Sequence, residues 1–65
     1  MLILVKDLPK DALSYTKNIL VNEYGAVMCS EHAEGQLFTV QSVYLKDALR
    51  LPGVHHCPRK WMKFQ

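Results

Sequence analysis

A chain of 65 residues, 49% apolar and 22% charged, has room for one domain and carries no signature of disorder. A domain this small buries only about 60% of the surface its unfolded chain exposes, which leaves little volume for the water-excluding cleft of an enzyme and excludes a multi-domain catalyst. Charge is unevenly placed: residues 1–47 hold four lysines against six acids, net −2, while residues 48–65 hold Arg50, Arg59, Lys60 and Lys63 with no acid, net +4.

Met1 to Lys6 (MLILVK) is an apolar run bounded by Asp7 and Pro9. It lacks a charged leader and a small-residue cleavage site, and it is too short to span a bilayer. The expectation is a strand, in a protein that is cytoplasmic and has no membrane partner. Leu2, Ile3, Leu4 and Val5 do not alternate with polar residues, which predicts a central strand covered on both faces.

Leu8 to Gly25 predicts one amphipathic helix. Pro9 suits its first position, Asp11 places a carboxylate near the positive end, and Gly25 suits a left-handed terminus. Ala12, Leu13, Thr16, Ile19, Leu20 and Tyr24 share one side at helical spacing, and Lys10, Ser14, Lys17, Asn18 and Asn22 take the other. Two strand-like runs follow, 26–30 and 36–41, separated by His32-Ala33-Glu34-Gly35, a hairpin whose positive φ falls to Gly35. In the second run Phe38 and Val40 share one face, Leu37 and Thr39 the other.

Ser42 is placed to cap a second helix over 43–51, with Tyr44, Leu45, Ala48, Leu49 and Leu51 on one side and Lys46, Asp47 and Arg50 opposite. Periodicity equally allows a strand running on through Val43 and Tyr44. Pro52-Gly53 stops either, and His55 to Phe64 closes as a fourth strand or an ordered tail, with Pro58 favouring an edge. The summed order is β-α-β-β-α-β. It predicts an α+β fold on the split-βαβ (ferredoxin-like) plan, two helices on one face of an antiparallel sheet.

The same order of cues, LILVKDLP, a helix, YG-AVM, EGQLFTV and the helical DAL, resembles a compressed RNA-recognition motif across most of the chain. In that resemblance Ile3 stands where the first strand would offer a ring, and Phe38 is the ring on the third strand. It implies a single-stranded RNA or DNA partner, with fold analogy alone carrying no function.

All cysteines and histidines fall in two clusters, Cys29 with His32 and His55-His56-Cys57. Thiolates and imidazoles are zinc's ligands, so Cys29, His32, His56 and Cys57 are the candidates for a structural zinc that would support a small core. The spacings miss the standard rules, and neighbours on a strand point to opposite faces, so the expectation is no metal and no cofactor. A Cys29–Cys57 disulfide is the one intrachain pairing available.

The end of the chain interleaves Arg59, Lys60 and Lys63 with Trp61 and Phe64. Cations neutralise phosphates while rings stack on bases, and Trp and Arg are equally the residues enriched where proteins meet. Arg50, Arg59, Lys60, Trp61, Lys63 and Phe64 are therefore the candidate partner-binding residues. The function expected is that of a small non-enzymatic regulatory or inhibitory protein docking on a larger protein, with a component of nucleic-acid machinery as one such partner. A nucleic-acid-binding module and a zinc-stabilised module are the alternatives.

Overall fold

Strand β1 (Leu2–Val5) leads into helix α1 (Lys10–Tyr24), and β2 (Val27–His32) and β3 (Gly35–Thr39) follow as a hairpin. A 3-10 turn (Ser42–Tyr44) then runs into helix α2 (Leu45–Leu49) and strand β4 (Val54–His56). These elements come from a computed structural model that describes residues 1–59. They make an α+β fold with a four-stranded antiparallel sheet ordered β2-β3-β1-β4. Because β1 and β2 are each antiparallel to β3, they run the same way with β3 between them, and α1 is the crossover.

The unalternating β1 is explained by its place. It pairs with β3 on one side and β4 on the other, and Ile3, Leu4 and Val5 are at most 1% exposed. Ile3 and Val5 join Phe38, Val40 and Val54 in a cluster that also takes Leu20 from α1 and Ala48 from α2. Leu4 pairs with Leu37 and clusters instead with Cys57 and Leu2. Phe38 and Leu37 thus face opposite ways, as their alternation predicts.

Helix α1 starts one residue later than the sequence suggests. Pro9 is its N-cap, in an extended conformation, and its carbonyl accepts the Leu13 amide at 2.9 Å. At the far end Gly25, with φ 64°, and Ala26 both donate their amides to the Leu20 carbonyl. That left-handed turn is inexpensive only without a Cβ. Thr16 and Leu20 are fully buried and Asn18 and Asn22 exposed, which matches the amphipathic stripe.

Thr16 Oγ1 donates to the Pro52 carbonyl at 3.0 Å and ties α1 to the turn before β4. Thr16→Val keeps the shape and removes that bond. Urea unfolding should show a loss of about 1 kcal/mol at unchanged m-value, the net worth of one hydrogen bond with an acceptor that water can reach.

The second helix is shorter than the 43–51 predicted. Ser42 lies inside the 3-10 turn rather than at a cap, and Gln41 precedes it with no side-chain capping bond. Arg50 and Leu51 close the helix with tight bonds to Asp47 and Ala48, since Pro52 disfavours helical backbone at the residue before it. The final strand is also cut, to Val54–His56, and the predicted continuation to Phe64 falls partly on residues 60–65, outside the described residues.

The hairpin loop is the pair Ala33-Glu34, closed by His32 opposite Gly35. Gly35 carries the positive φ expected of it, 158°, but as the first residue of β3 rather than inside the loop. Space selects glycine there as well, because a Cβ would run into the Val5 carbonyl oxygen. Farther along the hairpin, β2 and β3 slip register at Cys29, where Met28 pairs with Phe38 and Ser30 with Leu37.

Candidate functional site

The two Cys/His clusters are not brought together. Cys29 and His32 lie on β2, while His56 and Cys57 lie on and just after β4, and these strands are the two edges of the sheet. Three strand spacings separate the edges, about 14 Å, whereas a disulfide needs Cα atoms within about 7 Å. Both cysteines are free thiols, and among the described residues no group of three or more His, Cys, Asp or Glu side chains could hold a metal. The zinc arrangement fails for the reason that sequence proximity hides: strand order here is non-local. Ser30 Oγ and His32 Nε2 lie 2.8 Å apart, a local contact on β2.

The two thiols differ in exposure. Cys29 is exposed and Cys57 buried, and burial pushes the Cys57 thiol above its ordinary pKa. Thiolate is the reacting form. At pH 8 a disulfide reagent should therefore modify one thiol rapidly, lost in Cys29→Ser, and reach Cys57 only as the protein opens. Two equally fast thiols would overturn this.

Phe38 is not available to stack on a base. It is 1% exposed and faces the helices, and Ile3 beside it is fully buried. The face turned away from the helices carries Leu2, Leu4 and Leu37, with no ring among them. Of the basic residues, Arg50 is exposed at the end of α2 and Arg59 is exposed beyond β4. Lys60, Trp61, Lys63 and Phe64 lie outside the described residues.

Where β1 leaves the sheet for α1, the chain faces the tip of the β2–β3 hairpin across a cleft of about 240 Å3. Its walls are Val5 to Leu8, Leu13 from α1, and residues 31–36. Three carboxylates, Asp7, Glu31 and Glu34, line it with a single lysine, Lys6, and His32. Asp7 has φ 62°, the one positive value outside glycine among the described residues, and aspartate tolerates it better than most.

The decisive side chain is Gln36. It is 9% exposed, its Nε2 donates to Glu31 Oε2 at 2.7 Å, and its Oε1 is buried with no partner. Since the amide must present its N–H to a carboxylate, Glu31 fixes the orientation and leaves the oxygen as the orphan. Sequence reasoning missed this residue because alternation placed Gln36 at the start of a strand, where a polar side chain reads as solvated. Its one legible signal was the nearby pair Glu31 and Glu34 at the hairpin tip.

No family model matches the chain, and neither does any curated protein or solved structure. Among the described residues no helix is long and apolar enough to cross a membrane.

Proposed function

We propose that this chain is a small non-enzymatic regulatory or inhibitory protein that docks on a larger protein, built on the split-βαβ plan. The plan is supported by the order β2-β3-β1-β4 and by the single cluster that takes side chains from both helices. The observation that carries the function is β2. It is a six-residue edge strand with Val27 63% and Met28 39% exposed, and none of the strands described lies along its outer side. An open apolar edge is a template for a partner's strand, and proteins without a partner blunt such edges with charge or proline.

The acid-free stretch 48–65 adds a net +4 charge, suited to an acidic patch on that partner. A pull-down from the native host with mass spectrometry should recover one protein in stoichiometric amount. Val27→Lys on β2 and the double change Lys60→Glu/Lys63→Glu should each lower its capture about tenfold or more while circular dichroism stays unchanged. Capture unaffected by either would place docking elsewhere.

The alternation of Arg59, Lys60 and Lys63 with Trp61 and Phe64 favours a second reading, a single-stranded nucleic-acid partner. Salt separates the two. Phosphate contacts release counterions, so affinity for a strand falls steeply with ionic strength, whereas a packed protein interface responds weakly.

A further inference from the structure

We infer that residues 60–65 close over the face of the sheet turned away from the helices, with Trp61 and Phe64 laid against Leu4, Leu37 and Cys57. The inference goes beyond the docking reading: it assigns these two rings to the protein's own interior and leaves Lys60 and Lys63 to a partner.

The burial of that face carries the inference. Leu4 on β1 lies opposite Leu37 on β3 and His55 on β4, so its neighbours in the sheet stand beside it and not above it. A face with no second layer leaves such side chains open to water. Yet Leu4 is 0% exposed, Leu37 2% and Cys57 5%. The helices do not provide that cover, because α1 and α2 pack on the other face with Ile3, Val5 and Phe38. Among the described residues, Cys57 is the one hydrophobic side chain from outside the strands that joins the Leu4 cluster. One small side chain does not roof two leucines. The burial exists within a single chain, so neither a partner nor a second copy supplies it. What is left to supply it is the chain beyond Arg59.

That stretch has the reach and the pattern. Leu37 lies two strands in from β4, about 10 Å by the usual strand spacing. Residues 58–65 span about 12 Å even at helical rise and about twice that when extended, so they reach it. Cys57, Trp61 and Phe64 recur at i, i+4 and i+7, the spacing of one helical side, with Arg59 and Lys63 opposite. Cys57 already sits in the Leu4 cluster, so continuing its side of the chain brings the two rings over the leucines. A buried Trp or Phe covers about 150–250 Å2, ample for two leucine side chains. A lysine in that place would lose its hydration without a partner, which sets the side that Lys63 takes.

Two measurements on the full 65-residue chain test this. In the parent protein, proton NOEs should connect the Trp61 indole to the methyl groups of Leu4 and Leu37. Their absence would overturn the inference. The second measurement uses the Cys57 thiol as a reporter of the cover, in a Cys29→Ser background at pH 8. Trp61→Ala should speed its modification by a disulfide reagent about tenfold or more, because the thiol reacts only when the segment lifts and the lost ring favours that opening. Trp61→Phe should bring the rate back near the parent's, and Lys63→Ala should leave it unchanged, with circular dichroism constant throughout. An unaltered rate in Trp61→Ala, or an equal rise in Lys63→Ala, would overturn the inference. Should Trp61→Ala not fold, the NOEs in the parent decide alone. No partner enters either measurement, so a pull-down that recovers no protein refutes the docking reading and leaves this result standing.

Discussion

Leu20→Ala should destabilise the fold by about 2–5 kcal/mol, while Asn18→Ala, two residues away on the same helix, should be nearly silent. Leu20 is fully buried and is the one α1 side chain in the central cluster that is wholly excluded from water, touching the layer that holds Ile3, Val5, Phe38 and Val40. Its truncation leaves a cavity between helix and sheet, with strands on one side that cannot follow the helix inward. A domain of this size has roughly 3–10 kcal/mol of stability in total, by the usual 0.05–0.15 kcal/mol per residue. The Leu20 variant should therefore be substantially unfolded near 37 °C. Urea titration at 25 °C followed by circular dichroism measures both variants. Small and equal losses would mean that α1 does not seal the core.

Phe38→Ala should cost about 3–5 kcal/mol, the other large effect. The ring lies at the centre of the sheet, opposite Ile3 on β1 and Met28 on β2, and is the largest fully buried side chain among the described residues. The contrasting change is Val27→Thr, which alters an exposed β-branched residue on the edge strand and should move the urea midpoint by no more than about 0.5 kcal/mol. If Phe38→Ala instead folded like the parent and lost affinity for a single-stranded oligonucleotide, the ring would be a stacking platform and its place in the core would be refuted.

Helix α1 was legible because fifteen residues give four turns of one period, enough for Thr16 and Leu20 to declare the buried side against Asn18 and Asn22. Strand β1 was legible for the opposite reason: absence of any period in Leu2–Val5 fits a strand with neighbours on both sides. Short elements gave too little pattern. Ser42–Leu49 splits into a 3-10 turn and barely more than one helical turn, and β4 has three residues, so propensity could not set their ends. Nothing in the sequence says how far apart the two Cys/His clusters lie, since each is local in sequence, and pairing through β3 and β1 places them at opposite edges. The cleft was illegible for a related reason: Asp7 and Gln36 meet only because β1 and β3 are paired, Val5 lying opposite Gln36.

The central position of β1 also sets the order in which this protein can assemble. Ile3 finds its partners at Phe38 and at His56, so neither ladder forms until the chain has looped back from 35 and then 53 residues away. Loop closure must precede the reward of those contacts, and folds dominated by such non-local pairing cross their barrier slowly. Among the described elements only the helical segments and the β2–β3 hairpin can form from neighbours in sequence. During synthesis the hairpin emerges with one edge of β3 still open, and the apolar text of β1 stays exposed until β3 arrives. Its second edge then waits for β4, which makes the nascent chain dependent on its last described strand to become a closed, cooperative unit.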